Sequence, residues 1–233
     1  MQIGMISVGI LISSYIIGAI PIGLIVVRLA TGKDIRQIES GRTGGTNAMR
    51  AAGFWAGLVT AILDIFKGAS GVWLARLLGG NVWIEVLAPI CVILGHNYSI
   101  FLAERDQNGR WRLRGGAGGA PSFGGAFGLW PWTLLIVFPI GLLIYFGLGY
   151  ASVTTMSVPI IATVIFTVRA AQGLSPWQYV LYGLLAEILL VIALRPNIQR
   201  LRQGTERNHG LLGKLRLIKK AADPAASQRK KNQ

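Results

Sequence analysis

Long apolar stretches separated by short, arginine-containing polar segments form the main pattern along the chain. Six stretches are predicted to span a membrane, because a helix needs roughly 20 mostly apolar residues to cross the hydrocarbon core. They cover residues 3–27, 54–78, 82–103, 131–148, 152–168 and 177–194. The first stretch is not preceded by basic residues or followed by a small-residue cleavage site, so it is predicted to be a retained span and not a signal peptide.

The basic residues predict the orientation of these spans. Twenty of the 23 Lys and Arg residues lie in segments 28–50, 105–114 and 195–233, and the positive-inside rule places all three segments in the cytoplasm. An even number of crossings must then separate the second and third segments, so the glycine-rich stretch 115–130 is predicted to supply a fourth crossing, covered by neighbouring helices or lining a cavity. The prediction is an all-α integral membrane bundle of about seven helices, with its N-terminus outside and its C-terminus cytoplasmic.

Composition agrees with this class of protein. The chain is 52% hydrophobic and 14% charged, whereas soluble domains carry about a quarter charged residues. A net charge of +14 would suggest nucleic acid in a soluble protein, but here the charges come in blocks between apolar stretches, so no nucleic acid is expected. Residues 1–210 are predicted to form one transmembrane domain. The basic tail 211–233 is predicted to be flexible and to contact anionic lipid.

The segment "SGRTGGTNAMR" (residues 40–50) is unusually polar for this chain. Glycines let backbone N–H groups approach an anion closely, hydroxyl and amide groups add neutral hydrogen bonds, and arginine can bind phosphate in a forked geometry. This mixture suits a small phosphorylated molecule that carries hydroxyls, although an ordinary loop with topology-setting arginines is the alternative. The candidate ligand-binding residues are Ser40, Gly41, Gly44, Thr46, Asn47 and Arg50.

Ionisable residues also occur within the second and third spans. Asp64 and Lys67 are three residues apart and therefore share a helix face, which should point into the bundle because charges in a span are costly. A structural ion pair is favoured for Asp64, whereas Lys67 is expected to reach a phosphate. His96 is either a hydrogen-bonded packing residue or part of a site. No metal is expected, because the only other histidine is His209 and Cys91 lies at no helix-face spacing from His96.

Two further polar clusters are predicted on the same side of the membrane. One is the glycine cluster between Gly115 and Gly125, and the other is "RPNIQRLRQGTE" at residues 195–206. The arginines of the second cluster fit a basic collar whose side chains extend to the interface. Convergence of all these clusters on one face would nevertheless suit a binding site.

These motifs identify a family resemblance. The chain resembles the bacterial acyl-phosphate:glycerol-3-phosphate acyltransferases (PlsY), whose first motif S-G-N-x-G-A-T-N-x-x-R and following D-x-x-K-G are similar to "SGRTGGTNAMR" and "DIFKG" here. The third family motif, R-H-x-x-N-I-x-R-L-x-x-G-x-E, matches at Asn197, Ile198, Arg200, Leu201, Gly204 and Glu206. The second motif departs most: "GGKGVAT" is "GGAGGAP" here, with Ala117 for lysine and Pro121 for threonine. Leu194 stands for histidine in the third motif, and Arg42 for asparagine in the first.

The resemblance implies transfer of an acyl chain from acyl phosphate to the 1-hydroxyl of glycerol 3-phosphate, giving lysophosphatidate and phosphate without a cofactor. Catalytic roles are implied for Ser40, His96 and Arg50. Substrate-binding roles are implied for Gly41, Gly44, Thr46, Asn47, Lys67, Gly115, Gly116, Gly118, Ser122, Asn197, Arg200 and Glu206. The alternatives are a homologue that is non-catalytic or acts on an altered substrate, suggested by Ala117 and Leu194, and a small membrane transporter.

Overall fold

The computed structural model describes residues 2–208, which form ten α-helices and one β-hairpin. The helices are α1 (Gln2–Ala19), α2 (Ile22–Thr31), α3 (Gly45–Ala52), α4 (Phe54–Leu77), α5 (Val82–Asn97), α6 (Gly119–Leu129), α7 (Thr133–Leu148), α8 (Ala151–Ala171), α9 (Gln178–Ala193) and α10 (Arg195–Arg202). Strands β1 (Ser99–Arg105) and β2 (Trp111–Arg114) lie between α5 and α6. The predicted helical architecture is confirmed, and the predicted basic tail lies outside the described residues.

Three segments in the described part of the chain are long and apolar enough to cross a membrane, namely Gly4–Thr31, Phe54–Leu77 and Ala151–Ala171. A fourth is obtained if α9 and α10, which meet at a bend of 68°, are counted as one span. Large apolar side chains on these and neighbouring helices face outward, such as Trp55 at 74% and Leu143 at 73% exposure. Lipid is the solvent that such a surface requires. The count of seven crossings stays a prediction.

The first predicted span consists of two helices and not one. Helix α1 ends at Ala19 and α2 begins at Ile22, with Pro21 between them. Proline lacks a backbone N–H and its ring clashes with the preceding turn, so a helix is interrupted there. The break frees the carbonyl oxygen of Ile20, which accepts a hydrogen bond from the Lys67 ammonium at 3.0 Å.

The third predicted span, 82–103, is shorter than expected because the chain leaves the helix at Asn97 and enters an antiparallel hairpin. The Ser99 hydroxyl donates to the carbonyl of Ala19 at 2.5 Å, which fixes the start of the hairpin to the end of α1. The two strands are joined by a turn that contains Gly109, at φ 74°. The strands were not predicted, because β1 begins with the apolar run "SIFLA" that was assigned to the third span, and β2 has only four residues.

Helix α6 contains the glycine-rich segment that was predicted to cross the membrane. Its eleven residues extend roughly 16 Å, about half the thickness of the hydrocarbon core. A Cβ on Gly68 of α4 would overlap the backbone of Pro121, and a Cβ on Gly124 would overlap the backbone of Ile65. Small residues thus let α4 and α6 touch along their backbones, as in other membrane helix pairs.

Both ends of α6 are held by polar contacts within the bundle. Near its first turn, the Tyr182 hydroxyl donates to the carbonyl of Ser122 at 2.5 Å. At its last turn, Arg76 donates to the carbonyls of Gly128 and Leu129 at 2.9 and 3.1 Å. These carbonyls have no partner within the helix, so Arg76 satisfies acceptors that lipid cannot. The loop that precedes α6 is therefore attached to a fixed element.

Candidate active site

The polar segment 40–50 forms a tight loop that leads into α3. The Asn47 amide donates to the carbonyls of Ile35, Ile38 and Arg42 at 3.3, 3.0 and 2.9 Å, so one side chain holds together the backbone that precedes it. Gly41 has φ 67°, and a Cβ there would lie 2.9 Å from the carbonyl oxygen of Arg36. The loop therefore requires glycine at this position.

The N-terminus of α3 opens into a cavity of about 440 Å³. Gly44, Gly45 and Thr46 line the cavity at this end of the helix. The first turn of an α-helix leaves backbone N–H groups without partners in the helix, and the helix dipole places partial positive charge there. This arrangement binds anions in many proteins.

The glycine loop 115–118 forms the opposite wall. The Gly116 N–H donates to the carbonyl of His96 at 2.9 Å, and the Thr43 N–H donates to the carbonyl of Gly115 at 3.4 Å. A Cβ on Gly116 would overlap the His96 ring, and Gly118 has φ 85° with the Asn97 amide directly beneath it. These contacts join the first and second motifs and explain why glycine is needed in the loop.

A buried charged cluster lies beneath this loop. The Lys67 ammonium is 3.0 Å from the carboxylate of Asp64 and 3.2 Å from Nδ1 of His96. The three side chains are only 3%, 1% and 4% exposed respectively. His96 and Asp64 line the cavity, whereas Lys67 is behind them. The expected Asp64–Lys67 ion pair is therefore present.

The third motif closes the cavity from α10 and the turn that follows it. The Glu206 carboxylate accepts hydrogen bonds from the Asn197 amide at 3.0 Å and from the Ser152 hydroxyl at 2.8 Å. Arg207 pairs with Glu39 at 2.9 Å. The third motif is thus connected to α8 on one side and to the first motif on the other.

Three arginines give the cavity a cationic wall. Arg42, Arg50 and Arg200 line it, and none of them forms an ion pair with a carboxylate within residues 2–208. Arg42 is oriented by a hydrogen bond to the carbonyl of Ala193 at 2.5 Å. Burial and the nearby charge of Arg200 lower the pKa of Arg42. Neighbouring cations that have no ion-pair partner are stabilised by an anionic ligand.

Most residues predicted for the site meet at this one cavity. Those that line it are Ser40, Gly44, Thr46, Asn47, Arg50, His96, Gly118, Asn197, Arg200 and Glu206. Five others support the wall from outside the lining: Gly41, Lys67, Gly115, Gly116 and Ser122. The Ser122 hydroxyl donates to the carbonyl of Gly119 within α6. The fit of these residues to a ligand stays a prediction.

The cavity also contains residues that sequence reasoning missed. Ser152 and Thr155 come from α8, Glu39 precedes the first motif, and Arg207 follows the third. Ser152 and Thr155 are three residues apart, but several hydroxyl residues share that helix, so spacing alone does not single them out. Three of the four departures from the family motifs, Arg42, Ala117 and Leu194, also line the cavity.

Comparison with known proteins agrees with the motifs. The family model described as glycerol-3-phosphate acyltransferase matches residues 8–204. The chain belongs to the glycerol-3-phosphate acyltransferase family. It is 38% identical over 200 residues to a glycerol-3-phosphate acyltransferase of Thermus thermophilus, covering 86% of this chain and 94% of the relative. It is 37% identical over 200 residues to glycerol-3-phosphate acyltransferase 2 of Moorella thermoacetica, covering 86% and 96% of the two chains.

Solved structures of this family share the fold. The crystal structure of PlsY, an integral membrane glycerol 3-phosphate acyltransferase, in its glycerol 3-phosphate form has a TM-score of 0.76 and 28% identity. The match covers 90% of this chain and 98% of that one. The lysophosphatidic acid form of PlsY gives a TM-score of 0.73 at 27% identity, covering 88% and 96%. The helical bundle described above is thus an integral membrane fold.

Proposed function

We propose that this protein transfers an acyl chain from an acyl phosphate to the 1-hydroxyl of glycerol 3-phosphate, producing lysophosphatidate and inorganic phosphate. The observation that carries this proposal is the convergence of Arg42, Arg50 and Arg200, all without carboxylate partners in the described chain, on one cavity at the N-terminus of α3. Both substrates bear phosphate, and PlsY, the relative of known structure, has been solved with glycerol 3-phosphate and with lysophosphatidic acid.

The proposed reaction needs little covalent chemistry from the protein. An acyl phosphate is already activated, so the glycerol hydroxyl attacks the acyl carbon directly, the bond to the phosphate oxygen breaks, and the hydroxyl proton leaves with a base. Positioning and electrostatic stabilisation of the departing phosphate supply the catalysis. Ser40, Thr46, Asn47 and Arg50 are assigned to glycerol phosphate, and the loop 115–118 to the acyl phosphate. Ser122, first expected to contact the acyl phosphate, is buried and donates within α6, so it is assigned no contact with the substrate. The base is either His96 or a phosphate oxygen of the substrate.

The proposed topology has seven crossings, an external N-terminus and an active site on the cytoplasmic side. Two of the three basic segments support it directly, because residues 39–50 and 194–207 contribute arginines to one cavity and the positive-inside rule assigns such segments to the cytoplasm. The chain has one cysteine, so single-cysteine variants are simple to make in a Cys91→Ala background. An impermeant maleimide applied to intact cells should label Leu78→Cys but not Lys33→Cys, and the reverse pattern would contradict the orientation.

The proposal treats residues 1–210 as one transmembrane domain and assigns the basic segment 211–233 to contact with anionic lipid. Each basic residue near such a surface contributes about 1 kcal/mol. A chain truncated after Gly210 should therefore retain acyl transfer in neutral lipid, and lose the stimulation that anionic lipid gives the full chain. Equal stimulation of both chains would contradict this role of the tail.

Donor specificity tests the function. Purified protein in lipid is incubated with labelled glycerol 3-phosphate and either an acyl phosphate or an acyl thioester of the same chain length. Lysophosphatidate should form from the acyl phosphate only, because the thioester lacks the phosphate that the loop 115–118 is assigned to hold. Product from the thioester alone would refute the assignment of the donor.

A second candidate is a family member that acts on an altered substrate. Two positions favour it: Ala117 and Leu194 line the cavity where the family motifs have lysine and histidine. Two hydrogen-bonding groups are thereby replaced by apolar side chains. Expression in a cell that lacks its own enzyme of this family distinguishes the candidates, since a correctly inserted protein that fails to restore growth would favour the altered substrate.

A further inference from the structure

The buried cluster of Asp64, Lys67 and His96 determines which ring nitrogen of His96 carries a proton. An ammonium group has three N–H donors and no acceptor. Nδ1 of His96 lies 3.2 Å from the Lys67 Nζ, so Nδ1 must accept from the ammonium and keep its lone pair. A neutral imidazole has one protonated nitrogen, and in this ring that nitrogen is therefore Nε2.

The alternative tautomer has no support from the contacts. A hydrogen on Nδ1 would need the Asp64 carboxylate as its acceptor, but Nδ1 and the nearest Asp64 oxygen are 3.5 Å apart, beyond a normal N–H···O distance. It would also point at the Lys67 ammonium. The carboxylate is closer to the ammonium, at 3.0 Å, and the carbonyl of Ile20 accepts from the ammonium at the same distance. Lys67 is thus held as a cation behind the ring.

The opposite edge of the ring faces the cavity. Nε2 lies under Gly116, where a Cβ would overlap it, and His96 is part of the cavity lining. Nε2 has no hydrogen-bond partner among residues 2–208, and it is not one of the fully buried unpartnered atoms. A hydrogen on Nε2 is therefore available to a ligand at the glycine loop.

We propose that His96 is a neutral imidazole whose Nε2–H donates a hydrogen bond to the phosphate group bound at the loop 115–118, and that Lys67 and Asp64 are positioning residues that keep the proton on Nε2. The inference rests on the proposed function for the identity of the ligand. A protonated Nε2 has no lone pair, so it does not accept the proton of the glycerol hydroxyl. That proton passes to the departing phosphate, as the bond from the glycerol oxygen to the acyl carbon forms and the bond from the acyl carbon to the phosphate oxygen breaks.

The tautomer is measured directly by NMR. The full chain carrying His209→Gln, so that His96 is the single histidine, is labelled with ¹⁵N-histidine and placed in lipid nanodiscs without substrate. Two-bond ¹H–¹⁵N correlations should show the hydrogen on Nε2 from pH 6 to pH 8. The reason is that the Lys67 ammonium donates a hydrogen bond to Nδ1, while the Asp64 carboxylate balances the charge of the ammonium. A hydrogen on Nδ1, or a ring that becomes doubly protonated in this range, would overturn the proposal.

Two substitutions of His96 give a matched functional comparison. The amide nitrogen of glutamine reaches the position of Nε2, whereas that of asparagine reaches the position of Nδ1. His96→Gln should keep kcat within about 10-fold of wild type, and His96→Asn should lower kcat by about 100-fold, the typical loss of one donor to a developing anion. Equal losses in both variants would overturn the donor role.

Lys67→Met provides the test of the positioning residues. Without the ammonium, Asp64 becomes the strongest acceptor near Nδ1, so the proton should move from Nε2 to Nδ1 in the same NMR experiment. An unchanged tautomer would overturn the role of Lys67. The NMR result does not depend on activity: if no protein variant forms lysophosphatidate, the proposed function fails while the tautomer assignment still stands on its own measurement.

Discussion

Replacing Gly41 by alanine tests whether the shape of the first loop is needed for catalysis. Gly41 lies between Ser40 and Arg42, both of which line the cavity. A left-handed residue other than glycine costs roughly 1–2 kcal/mol. In addition, the new Cβ would lie 2.9 Å from the carbonyl oxygen of Arg36. Ordinary contacts of this kind begin near 3.4 Å, so the loop must move by about 0.5 Å.

The magnitude follows from that displacement. A 1 Å misplacement of a positioning group can lower a rate by about 100-fold, so a shift of half that size is expected to lower kcat/KM by roughly 10-fold. Gly32→Ala is the matched control, because Gly32 has nearly the same φ of 71° and an added Cβ there meets nothing within 4 Å. In thermal melts in detergent, both variants should lose the stability that the left-handed conformation costs, and Gly41→Ala should lose slightly more because of its close contact.

The assay is lysophosphatidate formation from labelled glycerol 3-phosphate, with each variant compared at equal amounts of folded protein. Gly41→Ala should be clearly less active than Gly32→Ala. Equal activity of the two variants, or a larger loss in Gly32→Ala, would refute the link between the left-handed turn and the position of Ser40 and Arg42.

Three other changes are predicted from the same contacts. Arg42→Gln removes a charged donor from the cavity wall, worth about 2 kcal/mol, and should lower kcat/KM roughly 30-fold with little change in melting temperature. Ser152→Ala removes a hydrogen bond to the Glu206 carboxylate and should raise KM about 10-fold. Ser152→Thr retains a hydroxyl and should keep KM near the wild-type value. Pairing with Arg36 lowers the pKa of Asp34 in the folded protein, so the ionised carboxylate stabilises the fold. This contribution is complete above the unfolded-state pKa of about 4, and it is lost as the pH falls through the lower folded-state pKa. Asp34→Asn should therefore reduce the melting temperature more at pH 7 than at pH 3, and equal effects at both pH values would contradict the pairing.

Many of the residues that line the cavity could be predicted from the sequence, because their chemistry is local. Glycines, hydroxyls and arginines within one short segment indicate phosphate binding whatever the fold. The prediction that the segments around Asn47, Gly116 and Asn197 lie close together is confirmed, because Asn47, Asn197 and Gly118, two residues after Gly116, line one cavity. It followed from the arginines, which place the segments at one side of the membrane.

The elements that the sequence did not predict depend on contacts between distant residues. Strand β1 begins with the apolar run "SIFLA", which hydropathy assigned to the third span, and the four residues of β2 are too few for a pattern to distinguish them from a loop. Helix α6 packs on α4 by backbone contact at Gly68, which hydropathy does not reveal.

The contacts of Lys67 show the same limit. The spacing of Asp64 and Lys67 places both on one helix face, but it does not reveal that His96 of α5 and the broken end of α1 complete the cluster. The sequence therefore suggested that Lys67 reaches phosphate, whereas the structure places it behind His96.

The cationic cavity is proposed to hold both phosphate-bearing substrates during acyl transfer, and every role assigned above depends on it. The most direct test is the rate of lysophosphatidate formation by purified wild-type protein, Arg50→Ala and Asn47→Ala in lipid, supplied with acyl phosphate and glycerol 3-phosphate. Wild type should release lysophosphatidate and phosphate in equal amounts. Both variants should be at least about 100-fold slower, since each loses a group that holds the substrate or its loop. Full activity in both variants would contradict the claim.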